Sequence, residues 1–137
     1  MIKAAAQHIG KETADLCYLI DVFPTLCDML QLPVPRSVDG VSLLSSLEGK
    51  EPARDRLYYS YMDNQRGISD GTWKLIEYHV NGERTTQLFN LKDDPWEMND
   101  LSGQKKYGKT IQRLREKMTE QCKETNDTST FWNNFSF

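Results

Sequence analysis

The chain has three cysteines in 137 residues, and none of them forms a Cys-x-x-Cys pair. With only two histidines beside them, a zinc centre is poorly supported. The odd count argues against a full disulfide framework and leaves one bridge open. Cys17 and Cys27 sit in apolar company, which predicts buried, inert thiols. No apolar run approaches the ~20 residues of a membrane span. Met1–His8 is too short and too polar for a signal peptide. No lysine or arginine run stands out and the net charge is -3, so no nucleic-acid surface and no nucleic-acid partner is expected. There is no Gly-rich phosphate cradle, no Gly-x-Ser-x-Gly nucleophile elbow and no internal repeat.

What remains suits a soluble globular protein: 38% hydrophobic and 27% charged residues, in a length ordinary for one domain. Leu16, Leu19, Ile20, Phe23, Leu26, Cys27 and Leu30 recur at spacings of three and four, an apolar face of helical period. Asp21 is placed to cap that helix, which puts Pro24 in its first turn, where a missing amide proton costs little. Leu32-Pro33-Val34-Pro35 breaks it. Ser42–Leu47 reads as a short helix stopped by Gly49. Such side chains contribute about 1.5–3 kcal/mol each when fully buried, yet no strong strand lies nearby to receive them. Their partner surface is expected outside this chain.

From Arg56 the pattern changes to strands. Leu57–Met62 is rich in aromatics. Arg66–Ser69, Thr72–Tyr78 and Arg84–Leu91 follow, joined through Asp70-Gly71 and Asn81-Gly82, both read as two-residue turns with positive φ at each position. The segment therefore predicts an antiparallel meander of about four strands, with Trp73 and Leu75 on the core side, Tyr78 a further candidate for that side, and Lys74 solvated. Asp93-Asp94-Pro95 ends the last strand, and turn capping is the commoner role for such a pair of carboxylates. Tyr107, Ile111, Leu114, Met118 and Cys122 then share one face of a charged helix, which is expected to cover the sheet. The late aromatics Phe131, Trp132, Phe135 and Phe137 are expected to dock rather than stand in water. Asn126-Asp127-Thr128 and Asn134-Phe135-Ser136 match a glycosylation sequon, as chance alone would produce.

No constellation stands out as an active site, so the catalytic residues expected within this chain are none, and the metal ligands none. Two residues are candidates for substrate contact. Arg66 opens a strand after the polar loop Asp63-Asn64-Gln65, where its fork of donors suits an anion; a surface salt bridge is the commoner use. His79 ends a strand before the Asn81-Gly82 turn, where a plain surface histidine is the default. His8 sits in a polar segment and says less.

The order of these pieces resembles the C-terminal part of the sulfatase family. Ile20-Asp21-Val22-Phe23-Pro24-Thr25-Leu26 is similar to the family's Ile-Asp-x-x-Pro-Thr-Leu helix, and Asp39-Gly40-Val41-Ser42-Leu43 to its Asp-Gly-x-Ser-Leu turn. Arg66–Ile76 looks like its Arg-x-x-x-Asp-Gly-x-Trp/Tyr-Lys-Leu-Ile hairpin. Leu88–Leu91 and Asp94-Pro95-Trp96-Glu97, leading on to Leu101, match the closing Leu-Tyr/Phe-Asn/Asp-Leu and Asp-Pro-x-Glu units. Each is weak alone; in order they cover most of the chain.

The resemblance implies an α+β fold: a small antiparallel sheet of about four strands packed with a C-terminal helix, preceded by helices of a larger α/β domain. Residues 1–50 would be the end of an alkaline phosphatase-like catalytic domain, with Ile2-Lys3 at the end of a central strand, and 51–137 the small C-terminal subdomain. It further implies a parent enzyme hydrolysing sulfuric esters, with a formylglycine made from Cys or Ser in a Cys/Ser-x-Pro/Ala-x-Arg motif and with calcium. None of the three cysteines here begins that motif. The implied partners are a missing N-terminal catalytic domain and a sulfated small molecule or sugar, met at a rim where Arg66 and His79 are candidates. The implied location is periplasmic, secreted or lysosomal. Two alternatives stay open: the end piece of a phosphoesterase or phosphonate hydrolase of the same superfamily, and a free-standing interaction module.

Overall fold

The computed structural model describes residues 12–134. The expectations that fell on Ile2, Lys3, His8, Phe135 and Phe137 lie outside the described residues. The chain folds as two compact units, one up to Leu57 and one from Tyr58 onward.

The first unit holds helix α1 (Val22–Met29) and the short helix α2 (Leu44–Leu47). Pro24 is the third residue of α1, as its missing amide proton requires. The helix ends ahead of Gln31, which takes a left-handed φ of 55°. α1 buries Pro24, Thr25 and Cys27 and leaves Phe23, Leu26 and Leu30 about half exposed. Cys17, expected to be buried, is exposed: it precedes the helix, so the helical period that places Cys27 inside does not reach it. Asp21 does not cap α1 with its side chain. Its carboxylate turns back to the Tyr18 amide and across to Val41 and Arg54.

The close approach of the Asp39–Val41 segment to Ile20 and Pro24 depends on a glycine. A Cβ on Gly40 would lie 2.2 Å from the Ile20 carbonyl oxygen, a backbone atom that cannot swing away. Gly40→Ala is expected to destabilise this unit by about 1–3 kcal/mol, read by urea unfolding followed at the Val41 amide. A stability equal to the parent's would show that the segment relaxes without cost.

The second unit is the anticipated meander. Strands β1 (Leu57–Tyr61), β2 (Gln65–Ser69), β3 (Trp73–Val80) and β4 (Glu83–Asn90) lie in the order β1-β2-β3-β4. Val80 pairs with Glu83 across Asn81-Gly82, both at positive φ, as a two-residue primed turn requires. The β2–β3 turn differs from expectation. Asp70 N–H donates to the Trp73 carbonyl, so Gly71 and Thr72 are the central pair, and of these only Gly71 has positive φ. Asp70 instead receives the Thr72 and Trp73 amides on its carboxylate.

Helix α3 (Gly108–Glu124) lays Leu114 and Met118 on Ile68, Leu75 and Leu88, all five fully buried. Ile111, Tyr107 and Trp73 flank that core, and the Trp73 and Tyr107 rings stand 5.3 Å apart. Alternation along β3 sends Trp73, Leu75, Glu77 and His79 toward α3 and Lys74, Ile76 and Tyr78 to the other face. Lys74, expected in solvent, instead donates to both Glu97 oxygens at 2.8 Å. The aromatic tail docks: Phe131 is fully buried and Trp132 packs against the core.

Candidate functional site

Beyond the apolar core, the α3 side of the sheet carries a polar belt. Register places Arg66 opposite Glu77 and Glu77 opposite Thr86. These side chains share one face, and each finds partners in the C-terminal part of the chain. Arg115 on α3 donates through Nε to Glu77 Oε1 (2.7 Å) and through Nη2 to Thr86 Oγ1 (3.1 Å). The Thr86 hydroxyl donates to Glu77 Oε2.

Arg66 is 2% exposed. Its Nε and Nη2 grip Asp127 at 2.6 and 3.1 Å, a two-pronged contact with the carboxylate. Its Nη1 donates to the carbonyls of Met62 (2.6 Å) and Gln65 (2.7 Å), and its guanidinium lies over the Phe131 ring. The Tyr58 hydroxyl and the Ser129 amide also donate to Asp127. Burial works against ionisation of Asp127, but Arg66, Tyr58 and the Ser129 amide outweigh it and hold the carboxyl well below the usual carboxylate range. Burial and the adjacent Asp127 push the Tyr58 phenol far up.

This network surrounds the β1–β2 turn. Met62 sits at φ 47°, a left-handed conformation costing a bulky residue about 1–3 kcal/mol. Contacts from β2, β3 and the C-terminal segment hold the turn. Arg66 takes the Met62 carbonyl, the Ser129 hydroxyl donates to Asp63 Oδ1, and the His79 amide donates to the Asn64 carbonyl at 2.8 Å. Tyr61 and Met62 nevertheless face water, 61% and 72% exposed.

The two sequence candidates thus lie at one end of one sheet face. Arg66 stands opposite Glu77, and His79, two residues further along β3, stands opposite Arg84. Arg66 reaches inward and His79 is half-buried beside the turn. Asp127 and Ser129 were not singled out by sequence reasoning. They lie some sixty residues from the groups they hold, inside a polar stretch with no local periodicity. Among the described residues, no three His, Cys, Asp or Glu side chains are grouped to hold a metal ion. Asp93 and Asp94 do turn work, accepting from Asn90 and from the Asn99 amide. No helix of the described residues is long and apolar enough to cross a membrane.

A four-stranded meander under one long helix, led by a helix carrying Pro-Thr-Leu, defines an α+β domain of the sulfatase type. The chain belongs to the family described as N-sulphoglucosamine sulphohydrolase, C-terminal, whose model matches residues 1–124. It is 30% identical over 130 residues to an N-acetylglucosamine-6-O-sulfatase of Bacteroides thetaiotaomicron, a match covering 86% of this chain and 23% of that protein. A solved structure of a protein in complex with its substrate D-glucosamine-2-N,6-O-disulfate superposes with a TM-score of 0.69 at 30% identity, over 81% of this chain and 25% of that one. The phosphonate monoester hydrolase of Agrobacterium radiobacter is less similar, with a TM-score of 0.54 at 26% identity over 73% and 23% of the two chains. The chain spans about a quarter of the length of these relatives.

Proposed function

We propose that this chain serves as the C-terminal part of a sulfuric ester hydrolase acting on a sulfated amino sugar. The observation carrying that reading is its match, over 86% of its length, to 23% of an N-acetylglucosamine-6-O-sulfatase. On this reading residues 1–50 complete a catalytic domain whose remaining elements lie upstream, and 51–137 form the small subdomain at the substrate rim. The half-exposed Phe23, Leu26 and Leu30 of α1 support it, because a helix face of that character calls for a covering surface.

The formylglycine and calcium belong, on the same reading, to the upstream part. The described residues group no metal ligands and do not fit such an ion, so no catalytic step is assigned here. Arg66 and His79 are proposed rim residues in different senses. His79 borders the rim turn directly. Arg66 acts from beneath, since four of its donor contacts are spent inside the fold.

Two assays test this reading. The 137-residue chain alone is expected to hydrolyse neither a chromogenic sulfate ester nor a phosphonate ester. The longer polypeptide carrying this domain is expected to release sulfate and to prefer 6-O-sulfated glucosamine. Sulfate release by the short chain alone would overturn the division of labour. A longer enzyme that cleaves phosphonates in preference to sulfates would favour the phosphonate hydrolase reading, for which the 0.54 TM-score match is the specific support.

A further inference from the structure

The β1–β2 turn combines exposed large side chains, a left-handed residue and a dedicated set of long-range contacts. It projects two large side chains, Tyr61 and Met62, into water. It also holds a non-glycine residue in a left-handed conformation. A turn that served only to reverse the chain would relax this with an asparagine or glycine at position 62. Such backbone persists where the surroundings over-determine it.

Here the surroundings are specific. Asp127 fixes both prongs of Arg66, which leaves Nη1 aimed at the Met62 and Gln65 carbonyls. Ser129, two residues on, ties Asp63. Tyr58 and Phe131 close the network from the strand and the tail. Arg66 and Phe131 are buried, and Tyr58, Asp127 and Ser129 are partly buried, while Tyr61 to Asn64 are exposed, an arrangement suited to presenting a preformed contact surface.

We propose that Asp127, acting through Arg66, is the positioning residue that fixes the exposed Tyr61–Asn64 turn as a rigid contact surface for the sugar ring of the substrate. The contact chemistry is that of a pyranose: the Tyr61 ring and the Met62 thioether offer apolar surface, and the Asn64 amide offers hydrogen bonds. The idea rests on the sulfatase reading for its ligand but not for its mechanics.

Two arms keep those apart. In this chain, Asp127→Asn is expected to speed amide hydrogen exchange at His79, whose amide meets the Asn64 carbonyl, by about tenfold or more, while the core amides of Leu75 and Leu88 hold their rates. Asp127→Glu, which keeps the charge, should restore most of the protection. Ser129→Ala should give a smaller effect in the same place. Unchanged exchange at His79 in Asp127→Asn, or an equal rise at Leu75 and Leu88, would overturn the clamp. The second arm uses the longer sulfatase. There Asp127→Asn should raise KM about tenfold with a much smaller change in kcat, because a misplaced turn loses binding shared by substrate and transition state. A fall in kcat at constant KM, or no change in either, would overturn the assignment to substrate contact. If the longer protein hydrolyses no sulfate ester, the functional reading fails, and the exchange arm still decides the clamp.

Discussion

Asp21→Ala is expected to cost the first unit about 3–5 kcal/mol, because it strips a buried carboxylate from partners left behind in the fold. Asp21 is fully buried and receives four hydrogen bonds: Arg54 Nε and Nη2 at 2.8 and 2.6 Å, the Tyr18 amide at 2.8 Å and the Val41 amide at 2.9 Å. Its own carbonyl accepts the Thr25 hydroxyl, which in turn accepts the Leu43 amide. One residue thus joins α1, the Asp39–Val41 segment and the segment before β1. Urea unfolding followed by NMR at the Val41 and Leu43 amides measures the loss. A cost below about 1 kcal/mol would show that Arg54 and the amides find water easily, and the latch would be ornamental.

The same carboxylate gives this unit an acid limit. Burial alone would raise its pKa, but Arg54 and the two amides bring it down to about 2 from an ordinary 3.8. A depressed folded-state value stabilises above the unfolded pKa and is lost as pH falls through the folded one. About 2 kcal/mol should therefore disappear between roughly pH 4 and pH 2, and Asp21→Asn should remove that slope. An identical acid profile in the variant would assign the transition to other carboxylates.

The second large effect is an asymmetry across one ion pair. The Glu77 side chain is 1% exposed and the Arg115 side chain 27%. Arg115→Met should cost about 3 kcal/mol or more, since the carboxylate stays buried with the Thr86 hydroxyl as its remaining hydrogen-bond donor in this cluster. Glu77→Gln should cost about 1 kcal/mol, because the partly exposed guanidinium keeps Thr86 and can reach water. Urea unfolding followed by tryptophan fluorescence compares them. Equal costs would mean that the strand end is wetter than its burial indicates.

Much of this architecture was legible because local chemistry decides it. Asn81-Gly82 sets its hairpin by backbone preference, and the spacing from Tyr107 to Met118 needs only helical period. Two of the misreadings, at Asp21 and Lys74, share one cause: partners far away in sequence. Asp21 looks like a helix cap until Val41 and Arg54 arrive. Lys74 looks solvated until the Asp94–Asn99 loop folds back with Glu97. At the site, Arg66 and His79 could be singled out by residue type and position. Asp127 could not, since nothing near it in sequence marks it as the anchor of a turn some sixty residues earlier.

The Arg66–Asp127 contact also has a bearing on synthesis. A ribosome adds about 5–20 residues per second, so the 61 residues separating the pair take roughly 3–12 s to emerge. During that interval the hairpins can form, while the Tyr61–Asn64 turn waits for its anchor. Nascent chains stalled short of Asp127 should carry a paired sheet whose first turn is still digestible, and release past Ser129 should close that window.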